Sequence, residues 1–139
     1  MASVPGVVIE VGRAKAAGLD DPFGSHPFVA ALEAAGFTPP GPEGVDRAEL
    51  RELVRRGLVV ERDGVYFAPS TVAAAAQVAA RLLAAKPEGF TVAELRDAIG
   101  ATRKTVLPLA NELDARGITR RRDDVRIAGP RLPEPDQAG

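Results

Sequence analysis

Two stretches decide how this chain is read: Glu52-Leu53-Val54-Arg55-Arg56-Gly57-Leu58 and Glu112-Leu113-Asp114-Ala115-Arg116-Gly117-Ile118. Laid over one another without a gap, they also bring Arg62-Asp63-Gly64-Val65-Tyr66-Phe67-Ala68 onto Arg122-Asp123-Asp124-Val125-Arg126-Ile127-Ala128. Upstream, Gly36-Phe37-Thr38 is the counterpart of Gly89-Phe90-Thr91. Two copies of one small unit is the economical reading. In each copy a helix stops at a glycine, Gly57 or Gly117, where the left-handed C-terminal conformation costs nothing. A short strand follows, then a turn at Asp63-Gly64 or Asp123-Asp124, then a second strand; Asp-Gly between apolar segments is a hairpin signal. Helix followed by hairpin is the back half of a winged helix-turn-helix.

The second copy also carries the front half. Ser70 can cap a helix running to about Ala85, with Val78, Leu82 and Leu83 on its apolar stripe. Thr91-Val92-Ala93-Glu94 reads as a capping box, with Phe90 as its hydrophobic staple, opening a helix that turns Leu95 and Ile99 inward and stops at Gly100. Thr102 can cap a third helix, Arg103 to Arg116, with Val106, Leu109 and Leu113 toward the core. Pro108 inside it predicts a bent or late-starting helix. The first copy is shorter: nineteen residues separate Thr38 from Gly57, against twenty-six from Thr91 to Gly117. Pro39-Pro40-Gly41-Pro42-Glu43-Gly44 stands where the middle helix would be, leaving one helix from Asp46 to Arg56 with Asp46 and Glu49 at its cap. His26 is expected to cap a helix start or face solvent. The fold class expected is mainly α with small β-hairpins (α+β), as tandem winged-helix units with the first reduced. Residues 1–25 are expected to form a strand (Val7 to Val11) and linker, 26–69 the reduced unit, 70–129 the complete unit and 130–139 a flexible tail.

Composition narrows the function classes. A length of 139 residues suits one ordinary domain or two small ones, and 45% hydrophobic with 27% charged residues reads as globular. Aromatics make up only 4%, so Ala, Val and Leu must build the core and few rings remain to stack on bases. With no cysteine there is no disulfide or thiolate metal site, which fits a cytoplasmic location. His26 is the only histidine, no metal-ligand spacing stands out, and no G-x-x-x-x-G-K-[ST] loop is present; no catalysis, metal or cofactor is expected. No signal peptide is expected from Met1 to Val11, and the apolar run Val72 to Ala85, broken by Gln77 and Arg81, is too short for a bilayer. The net charge of -1 conceals an asymmetry: Lys86 to Arg131 holds ten Lys/Arg against seven Asp/Glu, while the chain before Lys86 holds eight against ten. The second half is therefore the candidate polyanion binder.

Within that half, Thr102, Arg103 and Lys104 stand at a helix N-terminus, where backbone N–H groups and the helix dipole favour a phosphate. Arg120, Arg121 and Arg122 lie on the wing, with Arg126 on the return strand. Guanidinium groups grip phosphates and can stack on unpaired bases. The first copy has Val60, Glu61 and Tyr66 at the positions of Arg120, Arg121 and Arg126, so its wing reads as a packing element. The plainer alternative is a solvated hairpin and an exposed first turn, and the residues alone leave both readings open.

The segments Gly89 to Asp97 and Gly100 to Lys104, continued through Leu113-Asp114, Gly117 to Arg121 and Asp124 to Arg126, resemble the last winged helix of the bacterial SelB family of selenocysteine-specific elongation factors. The resemblance spans about the last third of the chain and extends more faintly to Phe37-Thr38-Pro39-Pro40 and Leu53 to Val60. It implies a part of a translational GTPase that delivers selenocysteinyl-tRNA, whose C-terminal winged helices hold the factor to a hairpin in selenoprotein mRNA. By that resemblance Arg103 and Lys104 match the family's basic pair and Arg120 and Arg121 its wing pair. The chain departs from the pattern at Thr105, where the family often has an aromatic, and at Arg122 and Asp123, where it usually has a small residue or glycine. The implied partners are the mRNA hairpin and, through a parent factor, the ribosome, with the chain itself a monomer that does not touch membrane. Two other classes stay open: a winged-helix DNA-binding regulator reading the major groove with helix Arg103 to Arg116, against which that helix offers few polar readers beyond Asn111 and Glu112, and a protein-interaction module.

Overall fold

The computed structural model describes residues 22–135, so the strand expected at Val7 to Val11 lies outside the described residues. A 3-10 turn at Pro22–Ser25 leads into helix α1 (Pro27–Ala35), and helix α2 (Arg47–Arg55) follows the proline-rich loop. Strands β1 (Val60–Arg62) and β2 (Val65–Phe67) form the first hairpin. Helices α3 (Pro69–Ala85), α4 (Val92–Ile99) and α5 (Arg103–Ala115) then precede a second hairpin, β3 (Thr119–Arg122) and β4 (Val125–Ala128). Mainly helical architecture with two antiparallel hairpins is what the repeat predicted.

Local chemistry accounts for most boundaries. His26 caps α1, its Nδ1 accepting from the Phe28 N–H at 3.1 Å, and Asp46 caps α2 by accepting from the Glu49 N–H at 3.1 Å. His26 Nε2 also lies 3.0 Å from Glu49 Oε1, tying the two helix starts together. Helices α2 and α5 end alike. Gly57 and Gly117 both take φ 75°, and Leu58 and Ile118 donate back to the Leu53 and Leu113 carbonyls at 3.0 Å. That is one C-terminal motif used twice. The first hairpin turns through Asp63 (φ 53°) and Gly64 (φ 83°), two positive values that match the right-handed twist of the strands.

Three local expectations are revised. Ala68, not Ser70, holds the N-cap position of α3 and makes no side-chain bond, because Pro69 enters as the first helical residue with its φ preset and no N–H to satisfy. Thr102 occupies the N-cap of α5, yet its hydroxyl lies 3.3 Å from that of Thr105 and caps no backbone N–H. Helix α5 does not start late; it begins at Arg103 and continues through Pro108, which is buried. The capping box of α4 forms as read, with Thr91 Oγ1 accepting from Glu94 N at 3.1 Å and Glu94 Oε1 accepting from Thr91 N at 2.8 Å.

The apolar residues assemble into two clusters. Phe28, Val29, Leu32, Leu53, Val59 and Ala68 form the smaller one, under α1, α2 and the first hairpin. The larger gathers residues of α3, α4 and α5 with Phe90, and it also takes Phe67 from β2. Phe67 thus belongs by sequence to the first copy and by packing to the second. Its complete burial contributes about 2–3 kcal/mol to holding the copies together. Among the described residues no helix is long and apolar enough to cross a membrane.

Candidate nucleic-acid interface

The N-terminus of α5 is open. Thr102, Arg103 and Lys104 are all exposed, no side chain caps the helix and no acidic residue stands in its first turn. The contrast with α4, closed by its capping box and by Glu94, is direct. An uncapped first turn leaves N–H groups and the positive end of the dipole available to an anion. Thr102, Lys104 and Thr105 form one wall of a groove of about 350 Å³; the other walls are the loop Thr38 to Glu43 and residues Gly64, Val65 and Tyr66 of the first hairpin. The first copy therefore builds part of the surface around the start of α5.

On the wing, Thr119 is buried while Arg120, Arg121 and Arg122 are exposed. Register fixes their faces: Arg121 lies opposite Arg126, so both point to one side, whereas Arg120 and Arg122 share the other side with Ile127 and Val125. Arg121 Nε donates to the Asp123 carbonyl at 3.2 Å, across the turn.

Arg126 does not belong with these exposed cations. It is only 3% exposed. Its Nη2 donates to Asn111 Oδ1 at 3.0 Å and its Nε to Asp114 Oδ2 at 3.2 Å, while Thr119 Oγ1 donates to Asp114 Oδ1 at 2.6 Å. Its backbone exchanges hydrogen bonds with Phe90, at 3.0 and 2.8 Å, adding a third strand segment to the wing. The expectation that Arg126 reaches RNA is replaced by a structural role: its guanidinium bolts the wing to α5. A desolvated cation needs such partners, and here they come from Asn111 and Asp114 of α5. Tyr66, its counterpart in the first copy, packs edge-on to Phe28 with ring centroids 6.0 Å apart. Both wings are thus held at this position, one by a ring and one by an ion pair.

Asn111 and Glu112, which sequence reading left as exposed polar readers, are engaged from the first copy. Asn111 Nδ2 donates to Asp63 Oδ2 at 2.9 Å. Glu112, with 8% of its side chain exposed, accepts from Arg62 Nε at 2.9 Å and from Arg116 Nε at 2.6 Å. The bond to Glu112 raises the pKa of Arg62 further above its ordinary range. In the first copy the matching Glu52 joins Arg55 and Arg56, whose hydrogen bonds pull its pKa down to about 2. The only sequence signal for the cross-copy contacts was that Arg62 is shared between copies. No group of three or more potential metal-ligating side chains occurs among the described residues.

A family model described as "Elongation factor SelB, winged helix" matches residues 81–128, which covers α4, α5 and the second wing. Among solved structures, the mRNA-binding domain of elongation factor SelB from E. coli, determined in complex with SECIS RNA, is similar at 24% identity and TM-score 0.53, over 60% of this chain and 69% of that one. A bacterial selenocysteine-specific elongation factor, EF-Sec, is similar at 22% identity and TM-score 0.53, over 62% of this chain. The chain corresponds to only 14% of that factor's length. No curated protein sequence matches the chain.

Proposed function

With a SelB-family winged helix in residues 81–128 as the premise, we propose that this chain binds the selenocysteine-insertion hairpin of mRNA as the C-terminal part of a selenocysteine-specific elongation factor, and so supports selenocysteine incorporation. The supporting structure is the E. coli SelB domain in complex with SECIS RNA, whose fold this chain shares. In this reading Thr102, Arg103 and Lys104 take a phosphate at the open end of α5, and Arg120, Arg121 and Arg122 grip the backbone or stack on unpaired bases. The parent factor brings the chain to the ribosome, and the chain acts as a monomer.

One observation carries RNA over duplex DNA. A helix that reads a major groove needs a free polar face, yet Asn111 and Glu112 of α5 are bound to Asp63 and Arg62 of the first copy. What remains exposed on α5 is the basic N-terminus, Leu107, at 41%, and Ala115 at the far end. That surface suits backbone and loop contacts.

The test is titration with a SECIS hairpin and with duplex DNA of matched length, at 50 and 200 mM salt. Four to six phosphate contacts predict a loss of affinity on the order of 10²–10³-fold between the two conditions. Arg103→Ala should weaken hairpin binding and reduce the salt slope by about one contact. Preference for the duplex would favour a DNA regulator, and no binding at low salt a protein-interaction module.

A further inference from the structure

We propose that the first copy sets the position of the second copy's wing through Asn111, making Asp63 and Asn111 positioning residues for the RNA contact; this rests on the hairpin-binding reading. The observation is an unbroken line of side-chain hydrogen bonds. It runs from Asp63 in the first hairpin turn to Asn111 (2.9 Å), from Asn111 to Arg126 (3.0 Å), and from Arg126 through Asp114 to Thr119 on β3 (3.2 and 2.6 Å).

The chemistry gives the line a direction. An ionised carboxylate accepts only, so Asp63 requires the NH₂ end of the Asn111 amide. With the NH₂ turned to Asp63, the amide oxygen faces the Arg126 guanidinium, which only donates. A flipped amide would set oxygen against carboxylate and NH₂ against guanidinium, losing both bonds at once. Asp63 therefore selects the amide orientation that holds Arg126, and Arg126 carries the strand directly opposite Arg121. Arg62, the neighbour of Asp63, clamps the same helix through Glu112 one residue along, so the turn cannot drift from α5 without breaking a second bond. The first copy is thus part of the wing's mounting.

The test uses the full 139-residue chain and a SECIS hairpin. Asp63→Gly removes the carboxylate while keeping a residue suited to φ 53°. Asn111→Ala removes the link itself. Asp63→Asn is the conservative variant, since its amide oxygen can still accept from Asn111. Each is read by hairpin Kd and by amide hydrogen exchange at Phe90 and Arg126, whose mutual backbone bonds report wing docking without RNA. Thermal melts confirm folding. Asp63→Gly and Asn111→Ala should each weaken binding by about three- to tenfold and speed exchange at both amides. Asp63→Asn should stay near wild type, and the double variant should be no worse than Asn111→Ala alone. Unchanged Kd and exchange in Asp63→Gly, or additive losses in the double variant, would overturn the proposal. Wild-type chain that ignores the hairpin, with exchange still coupled to Asp63, would sink the RNA reading and with it the binding role, leaving a purely structural link.

Discussion

Arg121 and Arg126 face each other across the wing, one exposed and one buried, so on the proposed hairpin-binding reading truncating each to alanine should separate binding from stability. Arg126 is 3% exposed and paired with Asp114, which is about a quarter exposed. Breaking a fully buried pair by removing one partner costs about 3–5 kcal/mol. Because water still reaches Asp114, the cost falls below that range, to about 2–3 kcal/mol for Arg126→Ala. For a chain of this size each kcal/mol moves Tm by roughly 4 °C, so the expected drop is on the order of 10 °C. Arg121 is exposed and bonded only to the turn carbonyl of Asp123 among the described contacts; its truncation should change stability by less than about 0.5 kcal/mol while weakening hairpin binding. A second comparison isolates the pair. Replacing both Arg126 and Asp114 with alanine removes the orphaned charge, so the double variant should lose less than the sum of the single losses. Calorimetric or circular-dichroism melts alongside RNA titration read the wild type, the single variants Arg121→Ala, Arg126→Ala and Asp114→Ala, and the double variant. An Arg126→Ala chain that melts within about 2 °C of wild type, or an Arg121→Ala chain that is markedly destabilised, would refute the division of roles.

Two further outcomes follow from other parts of the fold. Stability should be lost on acidification between about pH 5 and 2. The Glu52 carboxylate, held by Arg55 and Arg56, has its pKa lowered to about 2, and that of Glu94, held by Lys86 and the Thr91 N–H, is lowered too. A group depressed in the folded state stabilises above its unfolded pKa and stops doing so as pH falls through the folded one, so Glu52→Gln and Glu94→Gln should flatten Tm against pH in that window. Gly89→Ala should loosen the wing by at least about 1 kcal/mol, because φ there is +127° and an added Cβ would lie 2.7 Å from Val125 Cγ2 and 3.0 Å from the Arg126 carbonyl. Urea unfolding checks it, with unchanged Cm as the contrary result.

What was legible in the sequence was what neighbouring residues settle between themselves. The helix stops at Gly57, Gly100 and Gly117, the caps at His26, Asp46 and Thr91 and the Asp63-Gly64 turn each depend on a few adjacent positions, and the two-fold repeat doubled the signal for the hairpins. The exposed cations at the start of α5 and along β3 were legible too, since a helix N-terminus and a wing are surface features by construction. Ser70 was misread because Pro69, one residue earlier, could start the helix without a cap. Tertiary structure alone decided which polar residues were spent on holding the molecule together. Asp63 and Asn111 are 48 positions apart, and Arg62 and Glu112 are 50 apart. Nothing local distinguishes Arg126, buried, from Arg121, exposed. Their difference arises because β4 lies between Phe90 and β3, and from there the Arg126 side chain reaches Asn111 and Asp114 of α5, while the Arg121 side chain reaches only the turn carbonyl of Asp123 among the described contacts; burial depends on partners brought in from distant sequence and cannot be read from a residue and its neighbours.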